Sequence, residues 1–151
     1  MRKLNYRGLW GAAAGLVLLA APVLAEDKPA TDPAQAVKVT PMLTTPVTSS
    51  GQPIVMPQND VQITVSTYEI SGGAKLPEHK HPYPRYGFME SGTLRVTNID
   101  INKTETYGPG SFIVEAVDQW HKAENAGSDP VKLLVIDVMP KGATSTILRT
   151  N

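Results

Sequence analysis

Val61–Ile70 (VQITVSTYEI) places β-branched residues at a spacing of two, with Val61, Ile63 and Val65 on one side. Side chains on an extended chain leave opposite faces in turn, so this pattern belongs to a strand rather than a helix. Ser71-Gly72-Gly73 ends it. The same rhythm of short strand and turn recurs downstream. Tyr86–Met89 and Thr93–Asn98 read as a hairpin around Ser91-Gly92, and Ile99–Tyr107 as a short strand pair turning near Asn102-Lys103. Ser111–Val114, Trp120–Asn125 and Val131–Met139 (VKLLVIDVM) read as strands, the last of them buried. Val37, Val39 and Thr40 suggest a first strand, and the Thr-, Pro-, Ser- and Gly-rich run Thr44–Pro57 suggests turns and short edge pieces. Thirteen Pro and twelve Gly argue against a helical bundle. The expected fold class is an all-β sandwich or barrel with no helix after the first 25 residues.

Residues 1–25 read as an address. A short basic stretch with Arg2, Lys3 and Arg7 precedes the apolar AAAGLVLLAAPVL and the small residues before Glu26. That order describes a secretory signal peptide. The apolar run is short for a membrane span of roughly 20 residues, so no membrane attachment is expected after cleavage. The mature chain would be exported, to a periplasm or the outside. Residues 26–36 (EDKPATDPAQA) have no apolar periodicity and read as a flexible leader, and residues 37–151 as the folded domain. Without the signal segment the chain holds 11 basic against 14 acidic groups, which is the wrong balance for a nucleic-acid partner. The absence of Cys excludes a disulfide framework, a zinc ribbon and a thiol nucleophile.

The chain has three histidines. His79 and His81 are two apart, so on a strand both leave the same face, about 7 Å apart along the backbone. His121 could close a facial set from another strand. Three neutral imidazoles suit one divalent transition metal, with Fe, Zn, Cu, Ni and Mn as candidates. A lone His-x-His is a weak signal by itself, and Lys80 and Pro82 around it would also fit an exposed loop.

The longer spacing is more specific. Gly73, five residues, His79-Lys80-His81, three residues, Arg85, six residues and Gly92 resemble the first motif of the cupin superfamily. That motif reads Gly, five residues, His-x-His, three or four residues, Glu, six residues, Gly. The second motif reads Gly, five residues, Pro-x-Gly, two residues, His, three residues, Asn. Here Gly110 is followed at those distances by Ala116-Val117-Asp118, His121 and Asn125. The resemblance implies a double-stranded β-helix, the jelly-roll barrel of cupins, with His79, His81 and His121 as metal ligands. It also implies pairing of two copies, so a homodimer is expected.

The chain departs from the pattern at Arg85, where a glutamate ligand is expected. Arginine has no lone pair to offer a cation. Three arrangements are open: Arg85 anchors an anionic substrate by its planar fork; it pairs with a protein acid such as Glu115 or Asp118; or Tyr86 takes the ligand position and Arg85 faces solvent. Arg85 and Tyr86 are therefore the candidate substrate-binding residues, with Tyr83 or Tyr86 as a source of an acid proton. Some cupins with three His and no Glu are iron(II) dioxygenases. The resemblance thus implies an oxygen-dependent oxidoreductase acting on a small anionic molecule. The alternatives are a non-catalytic module binding such a metabolite, with or without metal, and a structural domain with a vestigial His cluster.

Overall fold

The computed structural model describes residues 37–58 and 60–150. The signal segment 1–25 and the leader 26–36 lie outside the described residues. Nine strands follow in order: β1 (Val61–Ile70), β2 (Lys75–Lys80), β3 (Arg85–Ser91), β4 (Leu94–Asn98), β5 (Lys103–Tyr107), β6 (Phe112–Val114), β7 (His121–Asn125), β8 (Val131–Pro140) and β9 (Ile147–Leu148). They form two antiparallel sheets, ordered β1-β8-β3-β6 and β5-β4-β7-β2-β9. No helix occurs among the described residues. This is the all-β jelly-roll expected from the sequence.

The longest pairing joins β1 to β8, from Val61↔Pro140 to Ile70↔Val131. On β8 the odd-numbered residues Val131, Leu133, Val135, Asp137 and Met139 are buried. With Ile70, Met89, Leu94, Ile113 and Ala123, the residues Val131, Leu133 and Val135 make a core between the sheets. On β1 the faces are reversed from what its apolar stripe suggests. Val61, Ile63 and Val65 are 47%, 65% and 59% exposed, whereas Tyr68 and Ile70 pack on the core. Alternation fixes that two faces exist but not which one the sheet buries.

Three expected elements differ. Ile99–Tyr107 is not a strand pair: residues 99–102 are the turn, and β5 alone follows and pairs back on β4. Val37, Val39 and Thr40 are not in a strand; Val37 and Val39 are 70% and 81% exposed and pair with no strand among the described residues. The strands on either side of Ser91-Gly92 are not a hairpin, because β3 and β4 belong to different sheets. The chain crosses between sheets at Gly92, whose φ is +80°. A Cβ there would stand 2.7 Å from the Val131 Cα, so a larger residue would collide with β8 backbone. At Asp118, where the resemblance calls for glycine, φ is +56°, in the left-handed region that Asp tolerates better than most residues.

Candidate metal centre

A bulge brings the three histidines together. Leu76 pairs with Ala123 and His79 with His121, so β2 advances three residues while β7 advances two. The extra residue changes the parity of β2 and turns His79 to the side that Leu76 occupied. Pro77 sits in the bulge, where its missing N–H leaves no gap in the ladder. His81 follows just beyond β2, bridged to Val117. His121 opens β7. The ring centroids lie 4.3 Å apart for His79–His121, 4.9 Å for His81–His121 and 5.0 Å for His79–His81. All three side chains are buried.

Each ring is held from behind. His79 Nδ1 donates to the Pro77 carbonyl at 2.7 Å, His81 Nδ1 to the Ser145 carbonyl at 3.0 Å, and His121 Nδ1 to the Gln119 carbonyl at 2.9 Å. A carbonyl can only accept, so each Nδ1 carries a proton and each neutral ring has its lone pair on Nε2. Such outer hydrogen bonds fix the tautomer and orientation of metal-binding imidazoles. The candidate ligand atoms of the three residues all lie within 4.8 Å of one another. His121 Nε2 is buried without a hydrogen-bond partner among the described residues. A buried polar atom left without a partner in a convergent set of donors fits a cation that would occupy that space.

Arg85 is buried beside this cluster. Its Nε donates to Asp137 Oδ1 at 2.7 Å and its Nη2 to Asp137 Oδ2 at 3.1 Å. Nη2 also reaches Ser145 Oγ and Thr146 Oγ1, and Nη1 stands 3.2 Å from His81 Nε2. Of the three arrangements open for Arg85, pairing with a protein acid is the one present. The acid is Asp137, neither Glu115 nor Asp118. Burial opposes the guanidinium charge, but the bonds to Asp137 outweigh it and hold Arg85 more firmly protonated than usual. Its fork is thus occupied by protein, and the expected substrate anchor is already paired. Tyr86 alternates to the outer face of β3 and donates its hydroxyl to Met56 Sδ at 3.5 Å. It is not among the residues that line the cavity at the histidines.

The sequence reading missed Glu115 as a member of the cluster. Its Oε2 lies 3.4 Å from Nε2 of both His81 and His121. At His121 that distance pairs charges without the alignment of a hydrogen bond. Burial would raise the Glu115 carboxyl, but His121 and His81 outweigh it and hold the group well below the usual carboxylate range. In return Glu115 overcomes the burial of His121 and raises its pKa, while burial, the largest influence on His79, lowers that residue from 6.5 to about 4.

These groups border a cavity of about 150 Å³ whose other walls are mainly apolar, including Tyr68, Ile70, Leu76, Leu133, Val135 and Leu148. The volume suits a small molecule, and its body would meet hydrocarbon.

The cupin domain family matches residues 66–137. Among solved structures, the polyketide cyclase RemF from Streptomyces resistomycificus is similar at 18% identity and a TM-score of 0.50, over 59% of this chain and 63% of that one. Oxalate decarboxylase from Lactobacillus farciminis is similar at 23% identity and a TM-score of 0.49, over 57% of this chain and 26% of that one. An uncharacterised double-stranded β-helix protein from Klebsiella pneumoniae is similar at 22% identity and a TM-score of 0.47, over 75% and 91% of the two chains. The match thus spans less than two thirds of the length of the first two. No curated protein matches.

Proposed function

Residues 66–137 of this chain match the cupin domain family, and from that premise we propose that it is an exported, metal-dependent cupin acting on a small molecule. His79, His81 and His121 hold one divalent transition ion. The observation that carries the reading is the set of three Nδ1–H bonds to backbone carbonyls, which turns the three Nε2 atoms inward, that of His81 also within 3.2 Å of Arg85 Nη1.

The bound ion would supply a Lewis-acid or redox centre with positions open to ligands. The protein supplies the rest. The carbonyls of Pro77, Gln119 and Ser145 hold the imidazoles by Nδ1–H and leave Nε2 aimed inward. The apolar walls exclude water and fit the body of the substrate. The Arg85–Asp137 pair carries no net charge, so an anionic group on the substrate is left to the ion rather than to arginine. Oxygen-dependent oxidation is the reaction class that the three-imidazole arrangement suggests, by its likeness to the cupin dioxygenases. Pairing of two copies belongs to the same reading, supported by the exposed apolar side chains of β1.

The test is metal content by mass spectrometry on residues 26–151 prepared without chelator, beside His79→Ala and His121→Ala. The expected result is near one metal per chain, lost in both variants. Oxygen uptake with candidate small molecules then separates an oxidase-type enzyme from a binding module. A chain that takes up none of Zn(II), Cu(II), Fe(II), Ni(II) or Mn(II) overturns the metal reading.

A further inference from the structure

We propose that Glu115 supplies the fourth protein ligand of this metal site, so that the carboxylate missing at position 85 enters from the neighbouring strand's end. The proposal rests on the three-imidazole reading above and adds a residue to it.

The sheet register places the acid there. Tyr86 pairs with Val114 in the antiparallel β3–β6 ladder, which sets position 85 opposite position 115. The Glu115 N–H donates to the Arg85 carbonyl at 3.0 Å. On the other side of β3, Arg85 pairs with Asp137. Residues directly opposite one another share a face, so Asp137, Arg85 and Glu115 form one inward row across β8, β3 and the end of β6. Arg85 is drawn toward Asp137 by two hydrogen bonds. Glu115 is thereby free to turn to the histidines.

The distances fit coordination. Two donors bound to one ion at about 2.0–2.2 Å stand roughly 3.0–3.5 Å apart at the usual angles. Glu115 Oε2 lies 3.4 Å from His81 Nε2 and 3.4 Å from His121 Nε2. His121 Nε2 is buried and makes no hydrogen bond among the described residues although Glu115 Oε2 stands 3.4 Å away, so the carboxylate does not serve it as a simple acceptor. A cation between the carboxylate and the rings satisfies all three atoms together. The exchange keeps the donor set at three imidazoles and one carboxylate, while position 85 takes a structural role.

The experiment uses Zn(II) alone as the probe. Its affinity is measured by chelator competition on the unaltered chain, Glu115→Gln and His121→Ala. A crystal structure of the zinc-loaded unaltered chain locates the ion by its anomalous scattering. The expected results are binding weakened about 100-fold in Glu115→Gln and a Glu115 oxygen within about 2.0–2.2 Å of zinc. Affinity unchanged in Glu115→Gln, or zinc held by the three imidazoles with Glu115 turned away, overturns the proposal and leaves the three-His site standing. Failure of the unaltered chain to bind zinc overturns that site as well. If Glu115→Gln does not fold, the loaded structure decides alone.

Discussion

Arg85 and Asp137 stand opposite each other on β3 and β8, joined by Nε to Oδ1 at 2.7 Å and Nη2 to Oδ2 at 3.1 Å. Both side chains are almost fully buried, 4% and 8% exposed. Removing one partner of such a pair strands the other charge, at a cost of about 3–5 kcal/mol. Arg85→Ala is therefore expected to lower stability by about that amount. Arg85→Met combined with Asp137→Leu is expected to recover most of it, because hydrophobic replacement of both partners is often close to neutral. Urea unfolding of the metal-free variants checks this. A double variant as unstable as the single one would show that the pair does more than satisfy itself.

Putting glutamate back at position 85 should not rebuild the family's usual site. Arg85→Glu would set three carboxylates in one row, facing Asp137 on one side and Glu115 on the other. Like charges directly opposite one another destabilise a sheet. The expected outcome is a lower Tm and no gain in Zn(II) affinity, measured by calorimetry and chelator competition. A variant that binds zinc more tightly at undiminished Tm would contradict the row.

Much of this was legible in the sequence, and the missing parts share one cause. The spacing from Gly73 to Asn125 identified the histidines and the barrel without any structure. Asp137 was readable in principle: it is the lone acid in VKLLVIDVMP, and a carboxylate in a buried strand needs a partner. Glu115 was legible only as a possible partner for Arg85; its place beside the histidines was not readable, because it depends on the register of β6 on β3. The outward turn of Val61, Ile63 and Val65 was hidden for a similar reason, since a period of two does not say which face is covered.

His79 ties stability to pH. Its pKa is lowered from 6.5 to about 4 by burial above all, with the neighbouring imidazoles adding to it. The unfolded chain accepts a proton that the folded chain refuses, so the folded state loses ground as pH falls. This contribution is whole above pH 6.5, shrinks below it and is exhausted near pH 4. The denaturation midpoint of the metal-free chain should therefore fall more steeply than that of His79→Gln within that window, and the two should run parallel above it. Equal slopes throughout would mean that His79 titrates normally.

The outer face of β1 gives a prediction about assembly. Ile63, at 65% exposure, stands between Val61 and Val65 on the end strand of its sheet among the described residues. If two copies meet on this face, Ile63→Lys should shift the chain from dimer to monomer in sedimentation while its far-UV circular dichroism stays unchanged. A dimer that survives the substitution would place the contact elsewhere.

The C-terminal segment closes the site from outside the main ladders. The Ser145 carbonyl holds His81, Ser145 and Thr146 hydroxyls accept from Arg85, and Leu148 walls the cavity. The segment pairs with β2 at two residues and adds a backbone bond and an ion pair from Arg149 to Glu78, and it is reached through an exposed turn at Lys141-Gly142. A single cut in that turn would spare the eight other strands and still release one histidine, unfasten the guanidinium and open the apolar chamber to water. Loss of this segment would thus strip His81, Arg85 and the cavity of these contacts while the eight other strands keep their ladders to one another.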